Sequence, residues 1–169
     1  MAITLDGDNL TTVGVINSKT AVASTSGTSI DFTGIPSGVK RITVMFYGVS
    51  LSGSSHVLVQ IGAGSVTSSG YVGAGTYTNT TANNSSGVTS TAGVPVYIGL
   101  ATATISGTML IVNQTGNNWV FSGTGYQSQG FTTTSSGSIA LGGTLDRIRI
   151  TTVNGTDTFD AGSINIFYE

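Results

Sequence analysis

The feature that most constrains the fold of this chain is a set of short segments in which every second residue is apolar. In residues 39–47, for example, Ile42, Val44 and Phe46 occupy alternate positions. Because successive side chains of a β-strand point to opposite faces of the sheet, a period of two predicts a strand with one buried face. The same spacing recurs along the chain, and the predicted core residues are Ile42, Val44, Phe46, Val57, Val59, Ile61, Ile148, Ile150, Ile164 and Ile166.

The composition favours strands over helices. Glu occurs once in the 169 residues and Lys twice, whereas Thr, Val and Ile recur and 25 residues are Gly. Glu and Lys are common helix formers, while β-branched residues pack well on a pleated sheet. We therefore predict an all-β chain, an antiparallel β-sandwich with a jelly-roll-like arrangement. Residues 21–169 are expected to form a single domain.

Consecutive strand patterns predict three β-hairpins. They join residues 39–47 to 56–62, residues 147–152 to 164–168, and residues 108–113 to 118–122. The pair Asn154 and Gly155, a favoured turn sequence, marks the turn region of the second hairpin. In the third hairpin Trp119 and Phe121 share a face, and Trp119 is more typical of a core residue than of a ligand platform.

Two regions have weaker patterning. Residues 1–20 are predicted to form an extended N-terminal arm, whose spaced apolar side chains can add a strand to a partner or fill a groove on it. The candidate partner-binding residues of this arm are Ile3, Leu5, Leu10, Val13, Val15 and Ile16. Residues 79–91, which are rich in Asn, Ser, Thr and Gly, are predicted to form an exposed loop.

The chain is not expected to be an enzyme. Its one histidine, His56, lies in a strand pattern, and no Gly-x-Ser-x-Gly motif accompanies it. The sequence Asp-Gly-Asp-Asn at residues 6–9 resembles the start of a calcium loop, but the distal bidentate glutamate of such loops is missing. Asp157 and Asp160 are interpreted as turn residues that accept backbone hydrogen bonds. No catalytic, cofactor-binding or metal-binding residue is therefore predicted.

The charge pattern gives no sign of a nucleic-acid or membrane partner. The net charge is −2, and the five Lys and Arg residues are scattered or paired rather than clustered. No apolar stretch approaches the roughly 20 residues of a membrane span. Arg41 and Arg147, which follow Lys40 and Asp146, could bind a carboxylate of a partner, but they are more typical of solvated or interface side chains that pair with an Asp across strands. We therefore expect protein partners.

Two segments resemble a module found in structural proteins of tailed phages. Residues 24–46 read STSGTSIDFTGIPSGVKRITVMF, and residues 145–169 read LDRIRITTVNGTDTFDAGSINIFYE. Proteins that carry this module are described as tail fibre, head fibre or decoration proteins. The resemblance implies a virion structural protein on the outer surface of the particle, made in the host cytoplasm and lacking catalytic residues.

The resemblance leaves two virion roles open. The module begins at residue 24, which leaves little room for the shaft of a tail fibre. We therefore expect a capsid decoration, or cement, protein that binds the major capsid protein and stabilises the shell. The alternative is a short tail fibre or receptor-binding tip that attaches to tail proteins and recognises a host surface glycan or protein. Aromatic residues that could stack on sugars in that role are Tyr71, Tyr77, Tyr97, Trp119 and Tyr126.

Some strands are apolar on both faces, which predicts self-association. Met45 and Tyr47 alternate with Phe46, and Phe167 follows Ile166. A second apolar face on a strand needs a covering layer, and closed symmetric oligomers are the usual way to supply one. We predict a homotrimer.

Overall fold

A computed structural model describes residues 16–79, 82 and 84–169 of the chain. The described residues form fourteen β-strands and no helix. The strands are β1 (Asn17–Ser18), β2 (Val22–Ala23), β3 (Ser29–Thr33), β4 (Arg41–Leu51), β5 (Val57–Ala63), β6 (Ser65–Val66), β7 (Val72–Asn79), β8 (Ser85–Ser90), β9 (Val94–Val96), β10 (Ile105–Thr115), β11 (Asn118–Gln127), β12 (Phe131–Ala140), β13 (Arg147–Thr152) and β14 (Phe159–Tyr168). Within these ranges, no helix is present that is long and apolar enough to cross a bilayer.

The strands form two antiparallel sheets. The nine-stranded sheet, called the large sheet, has the order β1-β14-β4-β10-β11-β12-β7-β8, and β2 also pairs with β14. The five-stranded sheet, called the small sheet, has the order β3-β13-β5-β6, and β9 also pairs with β5. The predicted all-β class and the antiparallel β-sandwich are confirmed.

The core lies between the two sheets. All of the core residues predicted from the alternation are buried. In the small sheet, Ile148 and Ile150 of β13 lie opposite Ile61 and Val59 of β5, respectively. Removing a side chain of this size from water stabilises a fold by about 1.5–3 kcal/mol, so these alternating residues are the main reason why the strands form.

The first two predicted hairpins are wrong. β4 lies in the large sheet and β5 in the small sheet, and β13 and β14 are likewise in different sheets. A period of two shows which face of a strand is buried, but it does not distinguish a neighbour in the same sheet from a strand across the core. Residues 52–56 and 153–158 are therefore loops that carry the chain from one sheet to the other.

The third predicted hairpin is confirmed. β10 and β11 pair from Ile105 and Gln127 to Thr115 and Asn118. Trp119 and the aromatic residue two positions later are both buried on the inner face of β11. The interpretation of Trp119 as a core residue is therefore correct.

Bulges bend β4 and β14 near the sheet-crossing loops. The register between these strands shifts between Phe159 and Ser163. Gly48 and Gly162 have φ angles of 62° and 90°, a region that favours glycine. A Cβ atom on Gly162 would overlap the carbonyl oxygen of Gly48, so the close approach of the two backbones requires glycine there.

Small residues allow the two sheets to come close at β7 and β9. A Cβ atom on Gly75 would overlap the carbonyl oxygen of Pro95. The hydroxyl of Ser135 donates a hydrogen bond to the same carbonyl oxygen at 2.8 Å. The backbone of β9 is thereby held directly against β7 and β12, with no bulky side chain between them.

The region predicted as an exposed loop at residues 79–91 contains a strand. Ser85–Ser90 forms β8, which pairs with β7 from Thr78 and Ser85 to Gly73 and Ser90. The segment is nevertheless mostly exposed. Its Asn, Ser and Gly content is typical of loops, and pairing with β7 outweighs this weak local preference.

The end of the predicted N-terminal arm belongs to the large sheet. Asn17 and Ser18 pair with Tyr168 and Phe167 of β14. The backbone N–H of Lys19 donates to the carbonyl oxygen of Ile166 at 3.1 Å. Residues 1–15, which make up most of that arm, lie outside the described residues.

Candidate interaction surface

The face of the large sheet that points away from the small sheet, called the outer face, carries rows of hydroxyl side chains. One row of cross-strand partners on β10, β11, β12 and β7 consists of Thr108, Thr124, Thr134 and Thr76. The hydroxyls of Thr76 and Thr134 share a hydrogen bond of 2.8 Å. Because a hydroxyl both donates and accepts, such rows can bind polar groups without introducing charge.

The outer face has almost no charge. Of the nine strands in the large sheet, only β4 and β14 contain a charged residue, Arg41 and Asp160. Arg41 forms an ion pair with Glu169 at one end of β4. Asp160 accepts a hydrogen bond from the Ser50 hydroxyl at the other end. The middle of this face therefore offers uncharged polar groups and apolar groups.

Several large apolar side chains are exposed on the outer face. Tyr47 is 77% exposed and Val72 is 75% exposed, and Val120, Tyr126 and Phe167 are also exposed. The sequence pattern indicated a second apolar face for Tyr47 and Phe167. It did not single out Val72 and Val120, although each alternates with buried or small neighbours. Exposed apolar groups grouped on one face are typical of interaction sites.

A groove of about 700 Å³ lies on the large sheet beside Val72. Its lining combines this apolar side chain with the hydroxyls of Thr89, Thr91, Ser136 and Ser138. No charged residue lines the groove. The surface is therefore suited to a neutral partner rather than an anion or a cation.

A row of four aromatic rings lies at one side of the sandwich. His56 stacks on Tyr97 with ring centroids 4.3 Å apart, Tyr97 lies 4.5 Å from Tyr77, and Tyr77 lies 4.8 Å from Phe131. All four residues are half-buried. The row links residues that flank β5 and β9 of the small sheet to β7 and β12 of the large sheet. It therefore ties the two sheets together while leaving part of each ring accessible.

His56 has a structural role within this row. The backbone N–H of Ile98 donates a hydrogen bond to Nδ1 of His56 at 3.3 Å. Burial lowers the pKa of His56 below its ordinary value of 6.5, because removing water disfavours the charged imidazolium. The neutral ring, which alone can accept that hydrogen bond, is therefore favoured in the folded protein.

The charged residues of the small sheet pair with one another. The guanidinium of Arg149 on β13 donates two hydrogen bonds of 2.7 Å to the carboxylate of Asp31 on β3. Arg147 donates to the adjacent Asp146 at 2.7 Å and 3.0 Å. The expected cross-strand pairing with an Asp is not found for Arg147, which pairs with its sequence neighbour, or for Arg41, which pairs with Glu169. The ion pairs of Arg147 and Arg149 are partly exposed, so each contributes little to stability.

Of the six partner-binding residues predicted from the sequence, only Ile16 falls within the described part of the chain. Its side chain is 62% exposed. Ile16 lines a shallow cavity of about 60 Å³ together with Thr43 and Phe167. The first described residue therefore lies next to the outer face. The other five predicted contact residues, Ile3, Leu5, Leu10, Val13 and Val15, lie outside the described residues.

The described residues contain no group of three or more His, Asp and Glu side chains that could hold a metal ion. Asp157 accepts hydrogen bonds from the side chain of Asn154 and the backbone N–H of Ser55, which agrees with the turn role predicted for it.

Comparison of the chain with family models, curated proteins and solved structures gave no match.

Proposed function

We propose that this protein is a structural component of a tailed-phage virion that decorates the outer capsid surface and stabilises the shell by binding the major capsid protein. The observation that carries the proposal is the outer face of the large sheet, which is nearly uncharged and exposes Tyr47, Val72 and Phe167. Such a face favours an assembly role. The resemblance of residues 24–46 and 145–169 to a phage structural module supplies the virion context.

Self-association as a homotrimer is part of the proposal. The outer face lacks the charges that would oppose contact between identical copies, and its exposed apolar side chains gain stability when a neighbouring copy covers them. Capsids offer many threefold positions on which a trimer can sit. Light scattering of the purified protein should give three times the mass of the chain or a multiple of that mass, and a stable monomer at micromolar concentration would contradict this part of the proposal.

The N-terminal arm, residues 2–20, is proposed to supply much of the capsid contact. Ile16, the last of the six predicted contact residues of this arm, lies beside the outer face. A trimer presents three arms, and linked contacts raise the apparent affinity by roughly 100-fold or more when all can bind at once. The shell contact can therefore be tight even though each arm is short.

Deletion of residues 2–15 tests the arm and keeps every described strand of the large sheet. The truncation keeps Asn17 and Ser18, which pair with β14, and removes five of the six predicted contact residues. The truncated protein should fold and self-associate as the full chain does, but its apparent affinity for expanded capsids should fall by roughly 100-fold or more in a sedimentation assay.

A pair of full-length variants separates apolar contacts from arm length. Replacement of Leu5 and Leu10 by Ser should weaken capsid binding, whereas replacement of Asn9 and Thr11 by Ser should leave it unchanged.

Two outcomes would contradict the proposal. Saturation of capsids by the truncated protein would show that the arm does not bind the shell. Cryo-electron microscopy that located the protein only on tails would replace the decoration role with the fibre role.

The aromatic row favours a second candidate function, a short tail fibre or receptor-binding tip. Tyr97, Tyr77 and Phe131 each leave part of a ring exposed, and aromatic rings are common contact groups for sugars. In that role the protein would occur in few copies per particle and bind a host surface glycan. A glycan array probed with the purified protein tests this candidate. Binding that is lost in Tyr97→Ala would support it.

A further inference from the structure

One edge of the large sheet lacks the features that normally protect a sheet edge. Its opposite edge consists of β1 and β2, which are two residues each. In the small sheet, β6 and β9 have two and three residues, and β9 contains Pro95. The remaining edge strand, β3, carries Asp31 in its ion pair with Arg149. Short strands, proline and charge all discourage pairing with another chain.

β8 has none of these features. Its six residues, Ser85–Ser90, contain no charge and no proline, and only β7 pairs with it among the described strands. Natural sheets rarely leave a long, neutral edge open unless another strand binds there. The contrast between β8 and the other edges of the same molecule indicates that β8 is an interaction edge.

The backbone groups that β8 presents at this edge follow from its pairing with β7. The N–H of Asn79 donates to the carbonyl oxygen of Asn84 at 2.9 Å, so residue 84 directs its backbone groups towards β7. In an antiparallel ladder, successive residues direct their backbone N–H and C=O groups alternately towards the paired strand and away from it. Ser85, Gly87 and Thr89 therefore direct their N–H and C=O groups away from β7, towards the open edge.

We propose that β8 pairs antiparallel with β8 of a second copy of this chain, around a twofold axis at Gly87. This register places Gly87 opposite its own symmetry mate and Ser85 opposite Thr89 of the other copy. Each of these residues both donates and accepts across the interface, so six hydrogen bonds use every open-edge group of Ser85, Gly87 and Thr89. The outer faces of the two large sheets then form one continuous surface.

A second copy suits this edge better than a charged partner. β8 carries no like charges that would oppose self-pairing, and the residues that meet are small or hydroxylated. The proposed pairing does not depend on the virion role. If the outer face also forms the contact within a trimer, pairing of β8 joins neighbouring trimers.

Charge substitutions at one cross-strand pair test both the contact and its register. Side chains directly opposite each other in an antiparallel pair are about 5 Å apart, so like charges there repel and opposite charges attract. The double variant Ser85→Lys/Thr89→Lys places two like-charged pairs across the axis. The matched variant Ser85→Lys/Thr89→Glu places two opposite-charged pairs at the same positions. Both side chains are exposed, so folding of the single copy should be unaffected.

The readout is the mass in solution, measured by light scattering at high protein concentration and low salt. The lysine–lysine variant should have half the mass of the wild-type protein, and the lysine–glutamate variant should keep the wild-type mass and dissociate at lower concentration. High salt should restore part of the association of the lysine–lysine variant, because screening weakens the repulsion. Equal masses for all three proteins would overturn the proposal. Half mass for both variants would overturn the proposed register.

A backbone substitution gives a second, independent test. Thr89→Pro removes an N–H that points to the open edge, so the ladder with β7 is kept while the contact with the other copy is blocked. Thr89→Val, which keeps the N–H, is the control. We expect half the wild-type mass for the proline variant and the full mass for the valine variant. Full mass for a folded proline variant would contradict the pairing.

Discussion

The carboxylate of Asp157 accepts a hydrogen bond from the backbone N–H of Ser55 at 2.9 Å, which joins the two loops on which the chain changes sheets. Ser52 reinforces the contact, because its backbone N–H donates to the carbonyl oxygen of Thr158 at 2.8 Å. Gly53 lies so close to Asp157 that an added Cβ would overlap the carboxylate. The loops at residues 52–56 and 153–158 therefore act as one unit.

Replacement of Asp157 should weaken the contact between these two loops and lower the stability of the fold. Hydrogen bonds from the Asn154 side chain and the Ser55 backbone lower the pKa of Asp157 below its ordinary value of 3.8. A lowered pKa contributes stability that is present above pH 3.8 and is lost as the pH falls through the folded-state value. Asp157→Ala should therefore lower the melting temperature at pH 7 and much less at pH 2. Thr156→Ala is the control, and equal losses at both pH values would contradict the carboxylate's role.

The single histidine should make stability depend on pH in the mildly acidic range. Because the folded-state pKa of His56 is lowered, its contribution is complete above pH 6.5 and is lost as the pH falls through the folded-state value. His56→Phe keeps a ring against Tyr97 but cannot accept the Ile98 hydrogen bond. Urea unfolding between pH 7.5 and pH 5 should show a decline for the wild-type protein and a smaller one for the variant. Parallel declines would assign the dependence to other groups.

The hydroxyl of Tyr71 should be important for the core. It accepts a hydrogen bond from the N–H of Ile61 at 2.7 Å and donates to the carbonyl oxygen of the same residue at 3.1 Å. Tyr71→Phe leaves both buried groups without this partner and should cost about 1–3 kcal/mol of unfolding free energy. Tyr126→Phe, at an exposed position, should cost almost nothing. A loss equal to that of the control would show that water replaces the hydroxyl.

Ionisation of Tyr71 should also lower the stability of the fold at high pH. Burial raises its pKa to about 12, although the hydrogen bond from the Ile61 backbone partly opposes this shift. Because the folded-state pKa lies above the ordinary value of 10.0, the contribution is complete below pH 10 and is lost as the pH rises towards 12. Tyr71→Phe should remove this part of the alkaline decline in stability.

The close approach of the sheets at β7 should not tolerate a methyl group. Gly75→Ala would force a Cβ against the carbonyl oxygen of Pro95 and should destabilise the fold by about 1–3 kcal/mol. Gly142 is the matched control, because an added Cβ there meets no atom within 4 Å. Gly142→Ala should be neutral or stabilising by about 0.4–1 kcal/mol. Similar urea midpoints for the two variants would mean that β9 shifts away from β7 and makes room for the added methyl group.

The sequence predicted the buried faces of the strands well because burial alternates with each residue. Ile148 and Ile164 were both assigned correctly to the core, but their strands were wrongly placed in one hairpin. Alternation carries no information on which strand lies alongside and which lies across the core. The chain changes sheets in the loops, where Asp157 accepts a hydrogen bond from Ser55 and Gly53 leaves room for its carboxylate.

The proposed interaction surface was only partly predictable. Tyr47 and Phe167 stood out because they alternate with Phe46 and Ile166 on strands that already have a buried face. β8 did not stand out, because its Ser, Gly and Thr residues have the composition of a loop. Its edge position depends on the order of strands in the large sheet, which no local pattern specifies.

The pairing of β3 with β13 has a kinetic consequence. Ile30 lies beside Ile150, so the small sheet cannot close until the 119 intervening residues have been synthesised and the chain has returned. Contacts between such distant residues make folding slow, typically on the scale of milliseconds to seconds, because the entropy of loop closure is lost before the contacts form. During synthesis on the ribosome, β3 therefore remains without its partner β13, and Phe32 remains exposed. We therefore expect newly made chains to depend on chaperones more than their small size suggests.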